Sequence, residues 1–296
     1  MNHKGLLIDS LDGYNIIECE KCNFKHLDPI PSDIELEKYY SEQYYQISKP
    51  NYLKEDRIEI DHRNIFFDQR INFFKKNIKG KLLLDIGCGD GIFMQRALEK
   101  GFEPYGIEPS DKASSIAISN NLNIFKGTLE NFIIQNNLKF DIVHLKNVLE
   151  HVNRPSDILE ICNNLLNHGG ILYIEVPNDY NLFQTLGIKI NKEIKSWICI
   201  PDHINYFNFN SLKNLIRSRD FKIIKRDTTF PMYFFLIIGL NFIKNKKLGK
   251  KLHGLRVKFE LLCAKFYLNK LRQFIYWILA ILGLGRTVIF YAKKTN

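Results

Sequence analysis

The sequence lacks a hydrophobic run of the roughly 18 residues needed to span a membrane, and its start, MNHKGLLIDS, lacks the apolar core of a secretion signal. Cysteine is also scarce, with six residues in 296 that are scattered except for one C-x-x-C pair. These absences argue against an integral membrane protein and against a disulfide-stapled scaffold. We therefore expect a cytoplasmic protein with reduced thiols.

Acidic residues are nearly missing from the C-terminal part. From Thr228 onward, thirteen Lys and Arg accompany a single acid, Glu260, a net charge of +12 against +10 for the whole chain. The basic excess therefore belongs to this part alone. Such a charge favours a partner that carries negative charge, such as an anionic membrane surface or a phosphate group.

Short apolar runs alternate with helical patterns from about residue 81. Strand, helix, strand at this spacing predicts an α/β fold, with a mostly parallel sheet covered on both faces. The predicted strands are 81–86, 103–107, 122–125, 140–145, 170–176, 221–225 and 286–292, and the predicted helices are 91–100, 111–120, 128–136, 155–167 and 209–218.

The segment ahead of this core has a different character. Ser32 and Glu35 form a capping box that predicts a short helix, and an amphipathic helix is expected at roughly 56–78. We divide the chain into an N-terminal segment, a core, a basic and apolar helical insertion, and a last core strand. Their bounds are 1–55, 56–227, 228–285 and 286–296.

The stretch LLLDIGCGDGIF places three alternating glycines directly after a strand. Glycine permits a sharp turn and close approach of a ligand to the backbone, and the following helix offers free N–H groups. A dinucleotide site would need G-x-G-x-x-G, with glycine at the position that Ile92 occupies. The pattern therefore favours a different nucleotide-like ligand.

This stretch resembles motif I of the class I S-adenosylmethionine-dependent methyltransferases, which reads D-x-G-x-G-x-G. The resemblance implies a seven-stranded Rossmann-like sheet with an antiparallel last strand, and S-adenosylmethionine as co-substrate. It assigns Asp85, Gly87, Gly89 and Gly91 to the methyl donor. Cys88 stands inside the turn, where we expect it to fill space beside the donor.

Later strand ends supply the other expected donor contacts. Glu108 ends the second strand in YGIEPS, where a carboxylate can accept hydrogen bonds from both ribose hydroxyls. The loop KGTLENF is assigned to the adenine and the stretch LKNVLEH to the donor pocket. The residues expected there are Thr128, Leu129, Glu130 and Asn147.

Two histidines fall on predicted site loops. The segment PDHINYFNFNSL resembles a DHxxxF segment of one family branch, found often among enzymes that methylate sugars and surface polysaccharides. If the acceptor is a hydroxyl, a histidine suits the role of general base. We favour His203, with Asp202 as its orienting partner, and then His151. The expected acceptor is a sugar or surface-glycan precursor.

The pair Cys19 and Cys22 looks like half of a zinc knuckle. A second cysteine pair is missing, and only His3 precedes the motif and His26 follows it. We interpret the segment as a degenerate zinc ribbon and expect no bound metal.

The insertion carries two apolar stretches, 230–243 and 274–285, separated by a lysine-rich segment. Lys258, Lys265 and Arg272 are seven apart, which predicts one helical face. Two interpretations stay open: a helix lying on the inner membrane surface through residues 230–285, or a lid over the acceptor pocket. Nucleic acid is disfavoured, because LKNVLEH replaces the motif typical of enzymes that methylate base amino groups.

Two other functions are compatible with the same fold. A nicotinamide-dependent oxidoreductase would exchange the ligand, and a catalytically silent scaffold at the membrane would bind the donor weakly. The intact glycine motif favours the methyltransferase.

Overall fold

A computed structural model describes residues 3–11, 13–38 and 59–295. Part of the predicted N-terminal segment, 39–55, and the first three positions of the helix expected at 56–78 lie outside the described residues. The fold consists of a small N-terminal sheet, a seven-stranded core and a helical insertion.

The small sheet begins with strands β1 (Gly5–Leu11), β2 (Tyr14–Cys19) and β3 (Lys25–Asp28), followed by helix α1 (Asp33–Lys38). The predicted capping box is confirmed: Ser32 N–H donates to the Glu35 carboxylate at 2.7 Å, and Glu35 N–H donates to Ser32 Oγ at 3.3 Å.

The core alternates strands and helices as the sequence predicts. Its elements are α2 (Ile60–Asn77), β4 (Leu82–Ile86), α3 (Ile92–Glu99), β5 (Glu103–Glu108), α4 (Asp111–Ser119), β6 (Asn123–Lys126), α5 (Leu129–Gln135), β7 (Phe140–Lys146), a 3-10 turn (Leu149–His151), α6 (Pro155–Leu165), β8 (Leu166–Pro177), α7 (Leu182–Asn191), β9 (Asn205–Tyr206), α8 (Phe209–Arg217) and β10 (Phe221–Asp227). The insertion and last strand follow as α9 (Phe234–Ile237), α10 (Lys246–Lys265), α11 (Asn269–Ile281) and β11 (Thr287–Lys294).

The large sheet has the order β10-β11-β8-β7-β4-β5-β6. Strand β11 runs antiparallel to both of its neighbours, whereas the pairs from β8 to β6 are parallel. The expected seven-stranded Rossmann-like sheet with an antiparallel last strand is therefore confirmed. The small sheet has the order β1-β2-β3-β9 and is antiparallel throughout.

Helices cover both faces of the large sheet, because apolar side chains along its strands point alternately to one face and to the other. On one face, Leu84 and Leu145 pack with α6 and α8, and on the other Leu83 and Ile142 pack with α2 and α3. Because β4, β5, β7 and β8 are parallel, their carboxyl ends meet at one edge of the sheet, where open α/β folds bind ligands.

The insertion forms three helices rather than one continuous helix. Helix α10 ends at Lys265, and Tyr267 adopts φ +58° before α11 begins. The expectation that Lys258, Lys265 and Arg272 share a face is therefore wrong. Arg272 lies on α11 and is buried, with its guanidinium 4.8 Å from the Phe66 ring centroid. Among the described residues, no helix is long and apolar enough to cross a membrane.

The two apolar stretches of the insertion have different surroundings. In the first, Leu236 on α9 is fully buried and packs against α7 at Gly187, where an added Cβ would lie 3.0 Å from it. In the second, Phe274 and Trp277 on α11 are about half exposed. Only the second stretch therefore offers a broad apolar surface.

A buried charge network joins α2 to the sheet. The Arg70 guanidinium lies 2.6 Å from His144 Nε2 and donates to Glu175 at 2.9 Å, and the other nitrogen of His144 lies 2.6 Å from Asp85. The Tyr173 hydroxyl also donates to Glu175, at 2.6 Å. All of these side chains are buried, so each depends on its partners for hydrogen bonds.

We expect Arg70→Met to lower the free energy of unfolding by about 3–5 kcal/mol, because the change removes from the buried Glu175 a cation that donates a hydrogen bond to it. Lys126→Met is the matched control. It removes an exposed pair with Asp111 that is 2.9 Å long, and about 0–1 kcal/mol should be lost. Urea unfolding measures both, and equal losses would contradict the importance of the network.

Candidate active site

The glycine turn between β4 and α3 has the backbone that the motif predicts. Gly87, Gly89 and Gly91 have φ values of +69°, +58° and +76°. A Cβ on Gly87 would lie 2.8 Å from Val148, and one on Gly91 would lie 2.2 Å from Leu122. Both the left-handed backbone and the close packing therefore require glycine.

Glu108 is buried directly behind this turn. One carboxylate oxygen accepts from Gly89 N–H at 2.8 Å and the other from Ser110 N–H at 2.9 Å. Burial raises the pKa of Glu108 to about 7, although these two N–H groups act to lower it. Each oxygen keeps a second lone pair with which to accept a further hydrogen bond.

A cavity of about 1000 Å³ opens at the carboxyl edge of the sheet. Asp85, Gly87, Cys88, Gly89 and Asn147, which the sequence analysis assigned to the donor, are among the residues that line it. Gly91 and Glu108 lie outside this lining, the first at the start of α3 and the second behind Gly89. The volume is at the upper end of the range for small-molecule sites, which suits a donor together with an acceptor.

Cys88 is buried, and burial raises the pKa of its thiol well above the usual value, with Asp85 and Glu108 adding to the effect. A neutral thiol is a poor nucleophile. Its sulfur packs instead with Met94, Ala117 and Leu122, in agreement with the space-filling role expected for it.

The three residues assigned to the adenine loop lie outside the cavity lining. Thr128 caps α5, with its side chain accepting from Asn131 N–H at 3.3 Å. Leu129 is buried in the core, and Glu130 is exposed on the first turn of α5. Contact of these residues with the donor stays a prediction.

His151 and His203 also line the cavity, with their ring centroids 5.0 Å apart. His151 Nδ1 donates to the Asp202 backbone carbonyl at 2.6 Å and lies 3.2 Å from its carboxylate. His203 Nε2 is 4.0 Å from the same carboxylate. The three residues therefore lie together, and Asp202 contacts His151 more closely than His203, the residue that it was predicted to orient.

The surroundings of His151 favour its protonated form. Burial alone would lower the pKa of His151, but the neighbouring Glu150 and Asp202 hold that pKa above the usual histidine value. Glu150 is itself buried, and its carboxylate lies 3.8 Å from His151 Nε2. Two carboxylates, those of Glu150 and Asp202, therefore lie beside the imidazole of His151.

The insertion also lines the cavity, with residues that the sequence analysis did not single out. Lys250, His253 and Arg256 of α10 line the cavity. This helix is joined to α2 by a hydrogen bond between His62 and Glu260 and by one of 2.6 Å between His253 and Glu59. Burial would raise the pKa of Glu260, but His62 and Arg256 hold it below its usual value.

The sequence analysis did not identify several other residues that line the cavity. Arg70, His144 and Glu175 belong to the buried network, and Trp197 and Tyr233 also line the cavity. The one signal in the sequence was His144, a polar residue within the apolar strand FDIVHL. The positions of the others in the cavity are set by tertiary packing.

Comparison with known proteins identifies the family of the chain. The profile of the family described as "Methyltransferase domain" matches residues 59–226, more than half of the chain. Two sequence relatives are named ubiquinone biosynthesis O-methyltransferase. The one from Glaesserella parasuis is 38% identical over 118 residues, and the one from Colwellia psychrerythraea is 30% identical over 145 residues. These matches cover 36% and 47% of this chain, and 50% and 49% of the relatives, so the chain spans about half their length.

Solved structures share the fold at low sequence identity. An S-adenosylmethionine-dependent methyltransferase from Archaeoglobus fulgidus has a TM-score of 0.53 at 17% identity, covering 82% of this chain and 99% of that one. The magnesium protoporphyrin IX methyltransferase of Synechocystis, solved with S-adenosylhomocysteine, has a TM-score of 0.54 at 14% identity, covering 89% and 100%. With the glycine turn and the seven-stranded sheet, these findings establish that the chain belongs to the methyltransferase-domain family.

Proposed function

We propose that this chain transfers a methyl group from S-adenosylmethionine to a hydroxyl of a small molecule. The observation that carries the proposal is that one cavity joins the glycine turn at Gly87 and Gly89 to the histidines His151 and His203. Family membership and the O-methyltransferase names of the relatives support the same reaction.

The reaction is an in-line displacement. The acceptor oxygen forms a bond to the methyl carbon as the bond from that carbon to sulfur breaks, and S-adenosylhomocysteine leaves. The protein aligns the two molecules and takes the hydroxyl proton. In the proposed arrangement the glycine turn and Glu108 hold the donor, and α10 limits access of water to the acceptor end.

We assign the proton transfer to His203. A general base must be unprotonated before the reaction, and the carboxylates beside His151 favour its protonated form. In this arrangement Asp202 fixes His151, and the edge-on contact of the two rings positions His203. Both histidines face the cavity, so either can contact an acceptor.

The acceptor we propose is a sugar or surface-glycan precursor. Its support is the DHxxxF segment, whose histidine, His203, lines the cavity. The names of the relatives favour a second candidate, a hydroxyl of a ubiquinone precursor.

We propose that the insertion serves both as a lid and as a membrane contact. The inner face of α10 lines the cavity, whereas α11 and the end of α10 present a broad apolar surface. Lys258, Lys265 and Lys270 are exposed beside this surface and would meet anionic headgroups. The exposed apolar side chains are Leu255, Phe259, Leu262, Phe266, Tyr267, Leu268, Leu271, Phe274, Ile275, Trp277, Ile278, Ile281 and Leu282.

Incubation with methyl-labelled S-adenosylmethionine and cell extract should place label in the small-molecule fraction. If the acceptor is a lipid-linked glycan precursor, the label is found in the organic phase, and mild acid then releases the labelled sugar from the lipid into the aqueous phase. A soluble sugar precursor is labelled in the aqueous phase, and a quinone precursor keeps its label in the organic phase after acid. Label found only in protein or nucleic acid would contradict a small-molecule acceptor.

We expect His203→Ala to lower the rate of label transfer by about 10²–10⁴-fold, because it removes the general base. Its affinity for S-adenosylhomocysteine, measured by calorimetry, should match that of the unaltered protein, since His203 lies at the acceptor end. Transfer at the unaltered rate would remove His203 from the mechanism.

The converse variant is Glu108→Gln, which should weaken S-adenosylhomocysteine binding by about 10–100-fold through loss of hydrogen bonds to a charged acceptor. Because the pKa of Glu108 is raised to about 7, donor affinity of the unaltered protein should increase as pH rises through that value. Glu108→Gln should abolish this pH dependence. An unchanged profile would show that Glu108 does not titrate at the donor site.

The chain should cosediment with anionic liposomes at low salt, and Phe274→Ser with Trp277→Ser should reduce the bound fraction. Ile134→Ser is the matched control, because Ile134 is 82% exposed on α5, away from the insertion. Salt should weaken binding by screening the lysines. Absence of binding at low salt would leave the insertion as a lid alone.

A further inference from the structure

The N-terminal sheet brings together four side chains that ligate metals. One ligand atom from each of His3, Cys19, Cys22 and His26 lies within 4.8 Å of all the others. His3 Nδ1 is 3.4 Å from the sulfur of Cys19 and 3.4 Å from that of Cys22. Zinc bonds of about 2.0–2.3 Å to nitrogen and sulfur place tetrahedral ligands about 3.3–3.8 Å apart. The spacing therefore suits one zinc ion.

His26 is oriented as a ligand would be. Its Nδ1 lies 2.7 Å from the Leu27 carbonyl, which fixes this nitrogen as the protonated one, and its side chain is 1% exposed. Its Nε2 is buried and has no hydrogen-bond partner. A ring nitrogen bound to a carbonyl, with the other nitrogen free for the metal, is the usual arrangement of histidine ligands. A metal would satisfy this otherwise costly buried atom.

The four residues meet at one end of the small sheet, where β1 begins, β2 ends and β3 begins. His3 precedes β1, Cys19 ends β2, Cys22 lies in the turn and His26 lies in β3. The Cys22 N–H lies 3.4 Å from the Cys19 sulfur, as expected where consecutive backbone N–H groups of a knuckle face its thiolate. One ion bound by these four side chains would link the segment before β1 to β3, and would stabilise a small sheet that has little apolar core of its own.

Strand β3 is connected to the acceptor end of the cavity. His26 pairs with Asn205 in β9, and Leu27 N–H donates to the Ile204 carbonyl at 2.9 Å. The Asn205 side chain then donates to the carbonyls of Leu149 at 2.9 Å and Val152 at 2.7 Å. These two residues flank His151, and Ile204 follows His203.

We propose that His3, Cys19, Cys22 and His26 form a structural zinc site that holds β3 against β9 and thereby positions the loop carrying His203. The zinc site stands on the four ligands alone, whereas its effect on the loop as an acceptor-binding element rests on the proposed function. All four positions are filled by protein atoms, so the site is structural rather than catalytic.

The test is the metal content of the full chain, purified under reducing conditions without an affinity tag. We expect about one zinc ion per chain, and a cobalt–thiolate charge-transfer band after exchange with cobalt. Cys22→Ser should lower zinc affinity by about a hundredfold or more, because loss of an outer partner of a ligand alone costs about 10–100-fold. His3→Ala should also weaken binding, and His168→Ala, at an exposed histidine outside the cluster, should not.

Hydrogen exchange separates the metal site from its effect on the loop. Chelation should speed amide exchange in 24–28 and 203–206 and leave β5 unchanged, a result that does not depend on any methyl acceptor. Substoichiometric zinc after loading, or equal zinc in Cys22→Ser, would overturn the site. Zinc binding with unchanged exchange at 203–206 would overturn the positioning role.

Discussion

The core depends on the buried Arg70 guanidinium. This cation of α2 contacts His144 on β7 and Glu175 on β8, and His144 in turn contacts Asp85 on β4. The ring of Tyr173 stacks on His144, and the guanidinium lies 4.1 Å from the centroid of that ring. These contacts join three neighbouring strands and one helix next to the glycine turn. The same side chains line the cavity.

This arrangement accounts for the position of Asp85. In the sequence it is the first residue of the glycine motif, but in the fold its carboxylate is bound to His144. A buried carboxylate needs such a partner, since its isolated charge is costly away from water. The buried carboxylate of Glu108 is stabilised differently, by hydrogen bonds from two backbone N–H groups. Burial raises the pKa of Glu108 to about 7 in spite of these two N–H groups.

The cavity is bounded by parts of the chain that are distant in sequence. The glycine turn after β4 and the end of β8 line one part of it, the 3-10 turn after β7 and the loop before β9 supply His151 and His203, and α10 lines it through its contacts with α2. Glu260, the one acid of the basic C-terminal part, is buried at this contact with His62 and Tyr276. The insertion is consequently anchored on its inner side by polar contacts, while its outer side keeps lysines and apolar side chains exposed.

The sequence by itself determined the alternation of strands and helices, the left-handed glycine turn and the placement of Glu108, Asn147 and both site histidines at strand ends or in the following loops. These features follow from local periodicity, from the conformations open only to glycine, and from the rule that parallel strands end at one edge. Tertiary structure decided the rest. The break at Tyr267, the burial of Arg272, the pairing of Asp202 with His151 and the meeting of His3 with Cys19, Cys22 and His26 all depend on contacts between segments far apart in the chain. No local pattern encodes such contacts, because each is selected by the packing and the buried polar groups that it satisfies.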